Sequence, residues 1–398
     1  MWSAVDSSTG LFQAPRAVEE GSAPVGKAMV EEILDKAAAA GLNTVRFFAQ
    51  TVNGRAFQTI TGPNSYSEVS LAAFDWLVAA SFSRGLRVIV VLVDFWQNQG
   101  GIRDILGYCG VQVSWSDDTP VNLDPASGQF FSRAECKTAY KAWARKLITR
   151  ASPLGVTYAN HPGILAWELI NEPRYKATWP GPGLPSWIHE MATFLKGDLQ
   201  VKQLVSTGEE GFFSAASGRS DDNPNSARYG RWGEEMGQDF ISDHSSTAID
   251  FGSTHSWPDN WSMVEDDENP TADGAAFTAS FIESHARAAR ESLGKPCIVE
   301  EHGKRAPADD GSATIFVERE RYLAAAFAAI ERTGMAGSLF WHVCGTGVTY
   351  GLPAFCIWPQ EEGEGPHAGA WTLVKNHVAA MKQLAAATHA ISISDSLC

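Results

Sequence analysis

Residues 163–174 read GILAWELINEPR, and the fold can be worked out starting from this stretch. Its apolar and aromatic part, residues 164–170, has the length and composition of a strand that is buried on both faces of a parallel sheet. Pro173 lacks the amide hydrogen that a strand ladder needs, so the strand is expected to end at Asn171 and Glu172. The stretch therefore predicts a parallel strand with a carboxylate at its carboxyl end.

The same pattern recurs on both sides of this stretch. Short apolar runs alternate with amphipathic segments that end at glycines such as Gly41 and Gly85. Strands are predicted at residues 44–49, 88–95, 164–170, 204–207, 249–254, 297–299 and 338–341. Helices are predicted at residues 30–40, 70–84, 132–150, 186–199, 275–293, 318–332 and 370–385. This alternation predicts an α/β fold with a parallel sheet, in one domain spanning residues 1–398.

Seven predicted strands are one fewer than a (β/α)8 barrel has. The predicted fold is therefore a TIM barrel whose first strand is lacking or is truncated to the opening residues, MWSAV. An open doubly wound sheet is the alternative, but no phosphate loop of the GxGxxG or GxxxxGKS/T kind follows an early strand. The polar insertions at residues 100–130 and 214–245 fall where the βα loops of a barrel build the active-site face.

Composition and charge narrow the class of protein. The chain of 398 residues has 31 basic and 46 acidic side chains, a net charge of −15, which argues against binding to nucleic acid. It has no apolar run of about 18 residues, so no membrane span is expected. Its 14 tryptophans suit both core packing and stacking on sugar rings. The first twelve residues, MWSAVDSSTGLF, lack the charged start and apolar run of a signal peptide.

The six cysteines are too few for a disulfide scaffold in a chain of this length. Cys109 could pair with Cys136, and Cys344 with Cys356, and two such bridges would imply an oxidising compartment. Cys297 lies in an apolar strand and is expected to be a buried thiol.

Two glutamates at strand ends are the candidate catalytic residues. Glu172 follows residues 164–170 and Glu301 follows residues 297–299, so they are 301 − 172 = 129 residues apart. A parallel barrel brings the carboxyl ends of all its strands to one face, where both side chains would enter one cleft. Retaining glycoside hydrolysis needs such a pair, with one carboxyl protonated to donate to the leaving oxygen and one ionised to attack the anomeric carbon.

Five motifs resemble glycoside hydrolase family 5, in that family's order. WELINEPR resembles the acid/base motif that ends the fourth strand, and VEEHG resembles the nucleophile motif that ends the seventh. NTVRFF, THSWPDNW and LFWHV resemble segments of the second, sixth and eighth strands. The resemblance runs from about residue 29 to residue 385. It implies that Glu172 is the general acid/base and Glu301 the nucleophile.

Other segments resemble the plant and fungal endo-β-1,4-mannanases of that family. These are VLVDFWQNQGG, TGEEGFF, IDFGSTHSWPDNW and the arginine of NEPR. The resemblance implies that eight further residues bind substrate or support the catalytic pair: Arg46, Trp96, Asn171, Arg174, Glu210, His255, Trp257 and Trp341. Chemistry agrees, because an arginine cation can hold Glu301 ionised and an asparagine amide can bind the sugar 2-hydroxyl. Trp341 is expected to form a sugar platform and Trp96 a wall of the cleft.

Three features depart from the family pattern. Trp257 stands where a tyrosine usually donates a hydrogen bond to the nucleophile, and an indole N–H can still donate one such bond. His302 follows the nucleophile in place of phenylalanine or tyrosine. The apparent loss of the first strand would expose two strand edges that a closed barrel removes.

The sequence therefore predicts a retaining endo-β-1,4-mannanase that acts on mannan, glucomannan or galactomannan. The alternatives are a family 5 endo-β-glucanase and a catalytically silent carbohydrate-binding protein. Neither a metal nor another cofactor is expected, because the ten histidines are scattered and no HExxH or paired CxxC spacing occurs. The expected partner is a polysaccharide, not nucleic acid or a membrane, and the protein is expected to be a secreted monomer.

Overall fold

The structure is a computed structural model of the 398-residue chain. It describes residues 23–50, 58–96, 101–113, 121–122, 124–179, 181–225, 230–264, 273–306, 313–345 and 353–395.

Seven parallel strands form the centre of the described structure. β1 (Thr44–Phe48), β4 (Arg87–Val91), β5 (Ile164–Glu168) and β6 (Leu204–Ser206) pair in that order, and β7 (Gly252–Ser256), β8 (Cys297–His302) and β9 (Gly337–Ser338) form a second set. A small antiparallel hairpin, β2 (Ile60–Gly62) and β3 (Ser65–Tyr66), lies outside them. The two sets meet where the Asp250 amide donates to the Val205 carbonyl and the Ser206 hydroxyl donates to the Phe251 carbonyl.

Helices separate the successive parallel strands, as the predicted βαβ alternation requires. Ser67 caps the helix that precedes β4 by accepting a hydrogen bond from the Ser70 amide, and Asp273 caps the helix that precedes β8. The helices are Ala23–Ala39, Glu68–Ser83, Gly101–Tyr108, Gly128–Ser132, Ala134–Ile148, Leu184–Thr193, Phe240–Asp243, Gly274–Ala288, Ala313–Thr333 and Ala368–Asp395.

Side chains alternate between two apolar layers along each parallel strand. In β4, Val88 and Val90 belong to the cluster between the strands and the helices, whereas Ile89 and Val91 belong to a smaller cluster inside the barrel. This period of two is what a pleated strand dictates when both faces are buried. The same alternation turns the polar side chains of Arg46 in β1 and Glu168 in β5 toward the interior, where both are fully buried.

The predicted strands are confirmed in number and order, with small differences in their ends. The ladder assigned to β4 ends at Val91, but backbone pairing continues to Phe95, whose amide donates to the Asn171 carbonyl. The insertion at residues 100–130, predicted as a loop, contains the helix Gly101–Tyr108, whose apolar side buries Ile102, Ile105 and Leu106. Both cysteine pairs that could form are present as disulfides, Cys109–Cys136 and Cys344–Cys356, and Cys297 is a buried free thiol.

A seam separates β9 from β1. Among the described residues, β1 pairs with β4 alone and β9 with β8 alone, so one edge of each strand faces this seam. A groove of about 660 Å³ lies there, lined by residues of both strands and of the helix Ala368–Asp395. The seam lies where a closed barrel has its first strand, and the candidate residues for that strand, 1–5, lie outside the described part of the chain. Within the described part, no helix is long and apolar enough to cross a membrane.

Candidate active site

The acid/base candidate follows the carboxyl end of β5. Glu172 has a φ of +47°, a left-handed conformation that is uncommon outside glycine and marks strained backbone at functional positions. Its two carboxyl oxygens have separate partners. Oε2 accepts from the Trp96 indole N–H at 2.6 Å, and Oε1 lies 2.8 Å from Nδ1 of His255. These two contacts fix the orientation of the Glu172 carboxyl group.

The nucleophile candidate lies in β8. Nη1 of Arg46 contacts Oε1 of Glu301 at 2.5 Å, and the Trp257 indole N–H donates to Oε2 at 3.2 Å. Tryptophan therefore supplies the hydrogen bond expected from the tyrosine that it replaces. A bulge between β7 and β8 pairs Thr254 with Val299 and then His255 with Glu301, which leaves one extra residue in β8. Bulges re-aim side chains near active sites, and here the extra residue lets Glu301 face the cleft.

Folding brings the two glutamates together. One carboxyl oxygen of Glu172, one of Glu301 and a ring nitrogen of His255 all lie within 4.8 Å of one another. Double-displacement glycosidases hold their two carboxyl groups about 5–5.5 Å apart, and inverting enzymes hold them farther apart. Nearest oxygens this close fit the double-displacement spacing better than the wider inverting one.

The surroundings of the two carboxyl groups differ in charge. Burial raises the pKa of Glu172 and also that of Glu301. At Glu301 the hydrogen-bonded Arg46 cation opposes this rise. Each group resists ionising beside the other, so the pair retains a proton. We assign that proton to Glu172, because the direct Arg46 contact stabilises the ionised form of Glu301. Burial also lowers the pKa of His255 to about 3, which keeps its ring neutral.

Asn171 is held by both of its amide atoms. Its Oδ1 accepts from Nη2 of Arg46 at 2.9 Å, and its Nδ2 donates to Oδ1 of Asp94 at 2.9 Å. Burial raises the pKa of Asp94 to about 8. Arg46 thus connects three strand ends, with contacts to Glu168 on β5, to Asn171 beyond it and to Glu301 on β8.

Arg174 and Glu210 are buried and lie beside the site, paired with each other. Arg174 donates through Nη2 to Oε1 of Glu210, whose other oxygen accepts from the Gln238 amide. The Arg174 guanidinium also lies 5.4 Å from the Trp96 ring centroid and 5.6 Å from that of Trp232. The predicted sugar contacts of Arg174 and Glu210 remain predictions, as does the predicted role of Trp96 as a wall of the cleft.

Trp341 follows β9 and packs beside the nucleophile. Its ring centroid lies 5.8 Å from that of Trp257 in an edge-to-face arrangement, and the Phe355 ring centroid lies 5.2 Å from that of Trp257. Gly303 permits this packing, since a Cβ there would lie 2.8 Å from the Trp341 carbonyl and 3.1 Å from the Trp257 ring. The site thus has an aromatic wall on the Glu301 side.

Three buried acids near the site were not singled out from the sequence: Asp94, Glu168 and Glu300. A signal was available, because Glu168 and Glu300 stand inside apolar strand segments, where an unpaired charge is costly. Two groups of side chains in the described residues are close enough to hold a metal ion: Glu172 with His255 and Glu301, and His342 with Cys344 and Cys356. The second group consists partly of a disulfide, which has no thiolate to bind a metal.

Comparisons with known proteins identify the family of this chain. Residues 17–365 match the model of a family described as GH family 5 beta-mannosidase-like. Mannan endo-1,4-beta-mannosidase 1 of Solanum lycopersicum is 32% identical over 340 residues, which cover 84% of this chain and 79% of that protein. Mannan endo-1,4-beta-mannosidase 5 of the same plant is 29% identical over 365 residues, covering 89% and 80%.

Solved structures confirm the predicted fold class. The endo-1,4-beta-D-mannanase of Thermotoga petrophila superposes with a TM-score of 0.68 at 24% identity, covering 88% of this chain and 95% of that one. A glycoside hydrolase family 5 mannosidase of Rhizomucor miehei gives a TM-score of 0.69 at 21% identity, covering 89% and 87%. At these identities the likeness establishes the (β/α)8 barrel fold alone. The family model and the sequence relatives go further, and they show that this chain belongs to glycoside hydrolase family 5.

Proposed function

We propose that this protein is a retaining endo-β-1,4-mannanase that cleaves internal bonds of mannan, glucomannan or galactomannan. The observation that carries the proposal is the pair of carboxyl groups, within 4.8 Å of each other and placed in different electrostatic surroundings. The substrate class rests on the similar proteins, which are named mannan endo-1,4-beta-mannosidases.

The first chemical step forms a covalent glycosyl-enzyme. A carboxylate oxygen of Glu301 attacks the anomeric carbon while Glu172 gives its proton to the departing glycosidic oxygen. Arg46 and Trp257 keep the attacking carboxylate oriented through their contacts with its two oxygens. In this mechanism the Asn171 amide, whose orientation is fixed by Arg46 and Asp94, binds the sugar 2-hydroxyl.

The second step releases the sugar. Glu172, now ionised, takes a proton from water, and the water oxygen attacks the same anomeric carbon and displaces Glu301. Two inversions give net retention. The Trp96 and His255 contacts stabilise the ionised Glu172 that exists between the two steps.

Loss of either carboxylate provides the first test. Glu172→Gln and Glu301→Gln should each lower polymer turnover by about 10³-fold or more, since each removes a group that acts in the transition state. Reducing-sugar release from galactomannan measures the effect, and proton NMR of the first products should show retention of the β configuration. Glu318→Gln, an exposed site on a helix, is the matched control. Activity close to wild type in either catalytic variant would rule out the assignment.

The same assay separates the alternative functions. Faster hydrolysis of carboxymethylcellulose than of galactomannan or glucomannan would identify an endo-β-glucanase. Binding of manno-oligosaccharides without hydrolysis over a long incubation would identify a silent carbohydrate-binding protein. The Trp257 N–H supports activity, because the donor to Glu301 is retained despite the replaced residue.

We also propose that the protein is secreted and monomeric. Its polysaccharide substrate is extracellular, and the two disulfides suit an oxidising compartment. Recovery of the protein from the culture medium of its native cells, with a monomer's elution volume in gel filtration, would test both statements.

A further inference from the structure

A second pair of carboxyl groups lies beneath the catalytic pair. Glu168 on β5 and Glu300 on β8 are both completely buried and face the barrel interior with Arg46. Oε2 of Glu168 contacts the Arg46 guanidinium at 2.6 Å. Neither side chain has been given a role in the two chemical steps. Glu168 lies four residues before Glu172 in the sequence, and Glu300 is the direct chain neighbour of Glu301.

The charges around this second pair do not balance if every acid is ionised. The groups facing Glu300 are Arg46, Glu168, His255, the neighbouring Glu301 and the Cys297 thiol. His255 is neutral, because burial lowers its pKa to about 3. Arg46 would then face three carboxylates, leaving two uncompensated negative charges in the interior. Uptake of one proton removes one of these two charges.

The unpartnered oxygens and the position of Arg46 indicate which group takes the proton. Both oxygens of Glu300 and Oε1 of Glu168 have no partner among the described residues when the acids are treated as carboxylates. A side-chain contact between the two carboxyl groups nevertheless contributes to raising the pKa of Glu300. Two carboxylates only accept, so this contact becomes a hydrogen bond once one of them carries a proton. Glu168 is the ionised partner because Arg46 contacts it directly. Burial, followed by the charge of Glu168, raises the pKa of Glu300 well above its usual range.

His255 agrees with a neutral Glu300. Its Nδ1 faces oxygens of Glu172 at 2.8 Å and of Glu301 at 3.6 Å, so the ring proton belongs on that nitrogen. Its Nε2 then carries a lone pair and lies 3.6 Å from Oε2 of Glu300. An ionised Glu300 would set a negative charge against that lone pair, whereas a protonated one does not.

We propose that Glu300 is a positioning residue that stays protonated during catalysis and donates to Glu168, which leaves the Arg46 charge available to hold Glu301 ionised. The proposal rests on the proposed function, in which Glu301 is the nucleophile. If Glu300 lost its proton, its charge would compete for Arg46 and disfavour ionised Glu301. Activity falls at low pH when Glu301 becomes protonated, because Glu301 must be ionised to attack. This low-pH side of the profile of kcat/KM against pH, the acid limb, would then move to higher pH.

Two substitutions of Glu300 test the proposal. Glu300→Gln is neutral and its amide can donate to Glu168, so kcat/KM should stay within about threefold of wild type and the acid limb within about 0.3 pH units. Glu300→Leu has a similar volume but no donor. Ionised Glu168 should then draw Arg46 away from Glu301, lowering kcat/KM by about tenfold or more and moving the acid limb up by roughly one pH unit. Glu209→Gln, at another buried acid whose pKa is raised by burial and by Asp243, is the matched control and should leave the acid limb in place.

Two kinetic results would overturn the proposal. A downward shift of the acid limb by about one unit in Glu300→Gln would show that wild-type Glu300 is ionised, because the variant had removed a negative charge. Equal profiles for Glu300→Gln and Glu300→Leu would show that the hydrogen bond to Glu168 has no effect on Glu301.

Infrared spectroscopy gives a readout that does not depend on turnover or on the substrate. The difference spectrum of wild type minus Glu300→Gln at neutral pH should contain the carbonyl band of one protonated carboxylic acid. A difference spectrum with carboxylate bands alone would refute the proposal. This measurement remains decisive if the protein hydrolyses no mannan, so failure of the proposed function and failure of the proton assignment can be told apart.

Discussion

At the scale of single residues, Trp96 is the donor that tunes the acid/base carboxyl. Its N–H bonds to Oε2 of Glu172 and lowers the pKa of that group, against the larger effect of burial, which raises it. Trp96→Phe removes the donor and keeps an aromatic wall. Glu172 should then hold its proton to higher pH, so the alkaline limb of kcat/KM should rise by roughly one pH unit. Rates measured from pH 4 to 10 test this, and an alkaline limb that moves down would contradict the assignment of Glu172.

Trp257 makes the corresponding contact with the nucleophile. Trp257→Phe deletes the hydrogen bond to Oε2 of Glu301 while retaining a ring against Trp341. A hydrogen bond to a charged group contributes about 1.5–3 kcal/mol, so kcat/KM should fall roughly 10- to 100-fold. Trp257→Tyr restores a donor and should recover part of the loss. If Trp257→Phe were as active as wild type, the indole would contribute only packing, and its hydrogen bond to Glu301 would have no role in catalysis.

At the scale of elements, the segment after β9 depends on a covalent clamp. Cys344 and Cys356 form a disulfide of sequence separation 12, three residues beyond Trp341, and Val343 forms a bridge with Ile357 beside it. The disulfide therefore restrains the segment that follows Trp341.

Removing this clamp should cost both stability and activity. A cross-link over a loop of this size stabilises by about 3 kcal/mol, so Cys344→Ser/Cys356→Ser should unfold at a lower temperature than wild type under non-reducing conditions. Polymer turnover should fall as well, because Trp341 loses its anchor. Calorimetry and reducing-sugar assays measure the two effects, with Cys297→Ala, the buried free thiol, as the control. An unchanged melting temperature, or non-reducing peptide maps without the 344–356 linkage, would refute the clamp.

At the scale of the whole molecule, buried acids and buried histidines set opposite limits on stability. Burial raises the pKa of Asp94 and of Asp243 to about 8. The folded protein keeps these protons while unfolded aspartates ionise near pH 3.8, so this contribution to stability is lost as pH rises toward 8. Burial lowers the pKa of five histidines to about 3 or 4, namely His244, His255, His285, His302 and His367. Their contribution to stability is lost as the pH falls below 6.5, the pKa of histidine in the unfolded chain.

The two effects predict a stability maximum in the mildly acidic range. Above pH 6.5 only the acids still act, so the melting temperature should fall between pH 6.5 and 8. Below pH 6.5 the five histidines outweigh the two aspartates, so the melting temperature should fall again as the pH is lowered toward 4. Calorimetry in matched ionic strength across pH 3–9 measures both slopes. A melting temperature that climbs steadily from pH 6.5 to 8 would mean that the buried acids are ionised in the folded protein.

The sequence by itself determined the order of strands and helices, because a period of two or of 3.6 is a local property that neighbouring residues impose. It also pointed to Glu172 and Glu301, since a carboxylate that ends an apolar strand is conspicuous before anything is folded. The helix Gly101–Tyr108 was missed because its few apolar residues lie in a polar insertion and become buried against distant parts of the chain.

Only the tertiary structure decided how the acids share charge and protons. Arg46 meets Glu168 and Glu301 across sequence separations of 122 and 255 residues, and a bulge in β8 turns two successive glutamates toward one site. Ion pairing, desolvation and hydrogen bonding depend on distances through space and on exclusion of water. The spacing of residues along the chain encodes neither these distances nor the exclusion of water. The protonation states of the acids in this site are therefore set only when the barrel brings its strand ends together.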